Sequence, residues 1–149
     1  NAVVKFDGLI SDYYLSKARN IDDLREYSRK RLPTPIFEYL DGGADDEITL
    51  GRNMSDFSNF ELMPRQLVDV KKIDPSTTLL GENISFPVVC APTGMTRLFT
   101  DTGELSVASA AAAADTIYSL STVSTHSIEE VGAVSTGPKW FQIYVFKDI

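Results

Sequence analysis

The sequence predicts an α/β fold in which a helical lead-in gives way to parallel β/α units. Three observations carry that expectation. Helical spacing with recognisable caps fills residues 21–57, short apolar strands alternate with helices after residue 86, and those strands end in hydrogen-bonding residues. Short buried strands joined through helices are the pattern of a parallel sheet, because parallel neighbours need a long crossover.

The elements follow in order. In NIDDLREYSRKRL, Asn20 stands where an N-cap belongs, Asp22 and Asp23 occupy the first turn, and Pro33 closes the helix. The next helix, in TPIFEYLDGGA, starts on Thr34 with Pro35 at its first position and ends on Gly42 and Gly43. A third is expected over 45–57. The stretch MPRQLVDVKKID reads as irregular, and TTLLGENISFPVV as two short strands around a Gly81-Glu82-Asn83 turn. Beyond it come a strand at 88–91, a helix at 103–114, a strand at 117–120, a helix at 127–131 and a strand at 140–145. The alanine run 110–114 suits a helix packed tightly on a sheet. The expected division is one domain over 1–149, with a helical lead-in at 1–75 and the hairpin and first parallel strands at 76–149.

Composition narrows the function. The chain has 149 residues, 43% hydrophobic and 23% charged, the balance of a globular protein with one domain's length. Fourteen Lys and Arg against 21 Asp and Glu leave a net charge of -7. No basic stripe interleaved with aromatics accompanies it, so nucleic acid is not an expected partner. Cys90 is the only cysteine, which excludes an intrachain disulfide and a cysteine-cluster metal site, and no metal is expected. That usage fits a reducing, cytoplasmic compartment. No apolar run reaches the about 18 residues of a membrane span, and NAVVKFDGLISDYY lacks the charged and apolar regions of a signal peptide. The initial Asn implies that residues upstream are missing.

The stretch CAPTGMTRLF, Cys90 to Phe99, points to a site. An apolar strand runs into Pro92, which has no N–H for a ladder, and Gly94, which lets a flat object approach the backbone. The second strand ends in Ser121-Thr122-Val123-Ser124, and the third carries Gln142 and Tyr144, which share a face with Trp140. Ligands of parallel β/α sheets and barrels sit at this edge. Turn chemistry, backbone satisfaction and barrel filling explain the same residues equally well. Neither a dinucleotide glycine fingerprint nor a phosphate-cradling loop motif occurs.

Five blocks, LPTPIFEYLDGGADDE, PRQLVDV, PVVCAPTGM, LSTVSTHSIEEV and WFQIYVFKD, carry a resemblance in their order and spacing. From about Ile21 onward the chain resembles the first part of the FMN-dependent 2-hydroxy acid dehydrogenase and oxidase family, which includes glycolate oxidase, mandelate dehydrogenase and bacterial L-lactate dehydrogenase. LSTVS before IEEV is most similar to the bacterial L-lactate dehydrogenase branch. Residues 1–20 resemble nothing in it.

The resemblance implies a (β/α)8 barrel preceded by helices and a small hairpin, of which about three barrel strands are present. It implies FMN as cofactor, with the backbone around Pro92, Thr93 and Gly94 against the flavin ring. Ser121 and Gln142 would hydrogen-bond the ring's polar edge. Tyr39 would hold the substrate carboxylate, and Tyr144 would stand near the substrate oxygen as a substrate-binding and catalytic residue. Gly94 falls where relatives carry Gly or Ala, and Val123 is small beside the tryptophan that glycolate oxidase resembles there. His126, the only histidine, matches no catalytic position and reads as a surface loop residue.

The family's catalytic histidine, substrate-binding arginines and phosphate-binding loops come from later strands, and a (β/α)8 domain takes about 250 residues. The expected partners are therefore a small 2-hydroxy acid, the C-terminal half of the same barrel, in one reading as a separate chain, and a second copy of the protein. The ending FKDI departs from the family's usual basic residue and reads as a break. The chain alone is expected to be inactive. Membrane association is left open, with a peripheral place at an inner membrane as the alternative to the cytoplasm. Three functional readings remain: an FMN-dependent L-2-hydroxy acid dehydrogenase, an oxidase or monooxygenase using oxygen, and a non-catalytic half-barrel that only completes a partner.

Overall fold

The computed structural model of the chain describes residue 13 and residues 15–147. The readings of the amino terminus as leaderless and of the Asp148-Ile149 ending as a break fall outside those residues. The chain divides into two compact units, Asn1–Met63 and Pro64–Ile149.

In the first unit, α1 spans Ile21–Arg31, and the Asn20 side chain accepts the Asp23 N–H at 2.9 Å, as an N-cap should. Helix α2, Thr34–Asp41, buries Phe37 and begins after Pro33. The Arg25 guanidinium of α1 donates through Nε and Nη2 to the two carboxylate oxygens of Asp41, the Nη2 bond at 2.7 Å. That pair fastens α1 to α2 and holds the Asp41 carboxyl below the usual aspartate range. Gly42 ends α2 in extended rather than left-handed backbone, its N–H bonded to the Glu38 carbonyl. The third helix, α3, spans only Ile48–Ser55, because Asp45 and Glu47 take φ of 48° and 56°, outside helical space. It runs on as a 3-10 turn over Asp56–Asn59.

The second unit opens with a hairpin. Strands β1, Thr77–Leu79, and β2, Glu82–Ile84, pair antiparallel with Leu79 opposite Glu82. The turn is therefore Leu80-Gly81, both with positive φ (51° and 90°), and the expected Gly81-Glu82-Asn83 turn is displaced by one residue. Two positive-φ residues give a turn whose twist matches the strands it joins.

The parallel sheet follows. Strand β3, Tyr118–Leu120, pairs with β4, Lys139–Phe141, in the register Tyr118↔Lys139, Ser119↔Trp140, Leu120↔Phe141. On its other edge β3 meets the segment expected as strand 88–91 only at Cys90, which accepts from Ser119 and donates to Ile117, both at 3.0 Å. The ladder is this short because Pro87 and Pro92, neither with an N–H, bracket Cys90, while the Val88 carbonyl is taken by the Thr116 hydroxyl.

Helix α4, Gly103–Ala113, and helix α5, Ile128–Val134, connect these strands. Ala108 and Ala111 of α4 pack with Tyr118, Leu120 and Val131 as the core, joined by Cys90 and Leu105. Small side chains let the backbones close in: a Cβ on Gly137 would stand 2.7 Å from that of Ala112. Ser127 lies outside α5 as its cap, in a reciprocal capping box with Glu130, with bonds of 3.1 and 2.8 Å. Ser127→Ala is expected to cost about 1 kcal/mol in a denaturant titration of the full-length protein.

Strand β4 stops at Phe141, short of the expected 145. The Thr122 hydroxyl intervenes, donating to the Gln142 carbonyl and accepting the Tyr144 N–H at 3.0 Å, so side chain replaces ladder. Among the described residues no helix is long and apolar enough to cross a membrane, and no group of three or more His, Cys, Asp or Glu is arranged to hold a metal.

Candidate functional site

Alternation along β3 sends Tyr118 and Leu120 into the helix-side core, so Ser119 and Ser121 take the opposite face, both buried. The register of β4 sets Trp140 beside Ser119, and the next residue, Gln142, donates its N–H to the Leu120 carbonyl at 2.9 Å. Gln142 thereby meets Ser121, whose hydroxyl donates to Oε1 of the carboxamide at 3.1 Å. The Gln142 amide nitrogen has no acceptor among the described residues, and remains a donor at the C-terminal end of the sheet.

Gly94 joins this pair. The Met95 N–H donates to the Val123 carbonyl at 3.0 Å, tying the turn after the first parallel segment to the turn after β3. A Cβ on Gly94 would fall 2.5 Å from Val123 Cγ2 and 3.7 Å from the Ser121 hydroxyl. The close approach that this glycine permits is thus made by Val123. Met95 carries the left-handed backbone of the turn, with φ of 53°. Pro92 and Thr93 are exposed, and Thr93 also lines an apolar cleft of about 230 Å³ with Phe99, Val107 and Tyr118.

The structure therefore brings together Gly94, Ser121, Gln142 and the backbone of Tyr144. The Tyr144 ring stands edge-on to Phe146 with centroids 6.3 Å apart. Tyr39 lies on α2 in the first unit, 56% exposed.

Two residues that sequence reasoning missed support the site from behind. Glu104, in the first turn of α4, is fully buried, and it accepts the Thr125 N–H on Oε1 and the Thr125 hydroxyl on Oε2, both at 2.7 Å. Nothing in the sequence marks that pairing, since a glutamate opening a helix and a threonine before a cap each have a sufficient local explanation. His126 corrects the sequence expectation: its side chain is only 12% exposed, with Nδ1 3.5 Å from Glu130 and Nε2 buried without a partner among the described residues.

Burial alone would push the Glu104 carboxyl up, but the Thr125 hydrogen bonds, helped by the Thr96 hydroxyl and by its own backbone N–H, outweigh it and hold it at about 2, below the ordinary 4.5. The folded carboxyl releases its proton more readily than the unfolded one, so its contribution to stability is whole above about 4.5 and is lost as the pH falls toward 2. Thermal melts between those limits are expected to fall less steeply for Thr125→Val than for the parent protein. Burial, with the Glu104 charge adding to it, pushes the neighbouring Tyr118 phenol up to about 12.

Parallel strands joined by helices, with hydrogen-bonding groups converging at their C-terminal ends, define an α/β fold with a ligand edge. Residues 28–149 match the FMN-dependent dehydrogenase family, and the chain belongs to it. It is 47% identical over 126 residues to the L-lactate dehydrogenase of Caulobacter vibrioides, covering 85% of this chain and 33% of that protein. Against glycolate oxidase 3 of Arabidopsis thaliana the identity is 43% over 129 residues, covering 87% of this chain and 35% of that one. The crystal structure of a soluble mutant of the membrane-associated (S)-mandelate dehydrogenase from Pseudomonas putida superposes with a TM-score of 0.81 at 37% identity, over 85% of this chain and 36% of that one. The chain thus spans about a third of the length of the relatives it matches. Its elements are the first part of a (β/α)8 barrel, led in by helices and a hairpin.

FMN is the cofactor of the family. The polar groups fit it: the Gln142 amide nitrogen, without an acceptor among the described residues and held in place by the buried Ser121 hydroxyl, stands at the strand ends as a donor suited to the carbonyl-rich edge of a flavin.

Proposed function

We propose that the whole protein oxidises an L-2-hydroxy acid of lactate size to the 2-oxo acid, with this chain supplying the flavin-facing part of the barrel and inactive without the rest. The observation that carries the reading is the convergence of Gly94, Ser121 and Gln142 at the strand ends in a chain of this family. The 47% identity to an L-lactate dehydrogenase supports the substrate class. In this reading residues 1–75 are the helical lead-in and 76–149 the hairpin and first barrel strands.

Bound FMN supplies the acceptor for the two electrons that leave the substrate's α-carbon. The chain's own residues bind and orient. The backbone of Pro92, Thr93 and Gly94 would lie against the ring face, while Gln142 would donate its amide N–H to the ring's polar edge and Ser121, its own proton given to Gln142, would meet that edge through its oxygen. Tyr39 donates its hydroxyl to the substrate carboxylate, and Tyr144 stands beside the substrate oxygen. The base that takes the hydroxyl proton, and the cations that face the carboxylate, belong to the remaining strands. The protein acts in the cytoplasm or at the periphery of a membrane, the latter supported by the membrane-associated relative.

The test is the visible spectrum of the full-length protein, recorded anaerobically before and after L-lactate. Bleaching of the flavin band is the expected result. A flavin that no 2-hydroxy acid reduces would reject the substrate class, and a colourless protein would reject the cofactor role. The similarity to glycolate oxidase favours a second reading in which oxygen takes the electrons, and stoichiometric hydrogen peroxide in air would select it. Tyr39→Phe is expected to raise KM for the hydroxy acid about tenfold, the value of one hydrogen bond to a charged group, with bound flavin unchanged. An unaltered KM would remove Tyr39 from the site.

A further inference from the structure

We propose that Glu104 is a positioning residue for the flavin face: through Thr125 it fixes the turn at residues 121–126, and so keeps Val123 packed on Gly94 and Ser121 in reach of Gln142. The inference rests on the proposed binding of FMN at these strand ends.

The arrangement is costly unless it holds something in place. A fully buried carboxylate loses its hydration, and among the described residues no cation pairs with Glu104. Its strongest interactions are the two hydrogen bonds from Thr125, one to each oxygen, with the nearby Thr96 hydroxyl and its own backbone N–H adding less. Bonds from the backbone N–H and the side chain of one residue fix both the position and the rotation of that residue. Thr125 lies two residues beyond Val123, in a turn already closed by the Ser124 N–H on the Ser121 carbonyl at 3.2 Å and the Ser124 hydroxyl on the His126 carbonyl at 2.8 Å. The turn is therefore nearly rigid within itself. Glu104 anchors it to the start of α4.

From there the constraint passes to the site by contacts already described. Val123 accepts from the Met95 N–H through its carbonyl, and its Cγ2 fills the space a Gly94 side chain would need. The Val123 N–H returns to the Ser121 hydroxyl at 3.3 Å, the same hydroxyl that donates to Gln142. Moving Thr125 moves Val123, and with it the flanks of Gly94 and the aim of Ser121.

The test uses the full-length, FMN-loaded protein and the variants Glu104→Ala, Glu104→Gln and Thr125→Val. Glutamine keeps an acceptor for the Thr125 N–H and offers an N–H to the Thr125 oxygen, so it should restore the geometry without the charge. Glu104→Ala is expected to raise the FMN dissociation constant about tenfold, with a shifted visible flavin band, and Thr125→Val about threefold, while Glu104→Gln stays within about twofold of the parent. A folded Glu104→Ala protein with the parent's dissociation constant and spectrum would overturn the inference, as would a glutamine variant impaired as severely as alanine. If Glu104→Ala does not fold, Thr125→Val decides alone, and unaltered flavin binding there overturns the inference. A parent protein that binds no flavin overturns the proposed function and this inference together; a flavin-loaded parent with indifferent variants overturns only the inference.

Discussion

Gly94→Ala in the full-length protein is expected to destabilise the fold by about 1–3 kcal/mol, the range of overpacking a closed site, and, on the proposed function, to lower turnover of the hydroxy acid about tenfold. The added Cβ would sit 2.5 Å from Val123 Cγ2, well inside contact distance. Something must give. Valine is stiff about its first side-chain torsion, so relief by rotation is limited and the strain passes to the backbone of the turn. That backbone accepts from Met95 and is bound to Ser121, so the disturbance reaches the donors at the strand ends. Val123→Ala removes the obstructing methyl groups and is expected to be mild alone. Combined with Gly94→Ala it should recover most of the loss, giving a coupling of about 0.5–3 kcal/mol in a double-mutant cycle. Additive effects would show that Gly94 is required for a reason other than Val123.

Leu120→Ala is the second large effect, expected at about 2–5 kcal/mol by denaturant titration. Leu120 is 3% exposed on β3, the strand that meets a parallel neighbour on both edges, and it packs among Ala108, Ala111 and Val131. Alanine side chains on the facing helix cannot lengthen to fill the space. The loss also bears on the site, because the Leu120 carbonyl receives the Gln142 N–H. Val134→Ala, at an exposed position at the end of α5, serves as the comparison and should cost under about 1 kcal/mol. Equal losses at the two positions would contradict the placement of the core.

What was legible in the sequence was local. Asn20 and Pro33 announce helix ends because such signals act within a turn of the helix they bound. The β/α alternation and the family blocks placed Ser121 and Gln142 on one edge, where the structure joins them. The misses are long-range or conformational. The hairpin turn shifted by one residue because Leu80, not a glycine, takes its first left-handed position. Strand β4 ends early through Thr122, which acts on residues that only the sheet brings near. His126 reads as a polar loop residue, yet it is largely buried where its segment packs back. Glu104 and Thr125 lie 21 positions apart, and no periodicity connects a helix start to the turn after the next strand.

The prolines on either side of Cys90 have a consequence for assembly. A parallel segment with several free N–H groups can slide by a residue, and each slip turns its side chains to the wrong face. Between Pro87 and Pro92 the segment reaches β3 only through Cys90, which meets Tyr118. A shift in either direction brings an imino nitrogen nearer to the carbonyl that needs a donor. Mis-registered intermediates are thereby penalised as they form, and a growing barrel that adds strands to this edge inherits a correct starting frame.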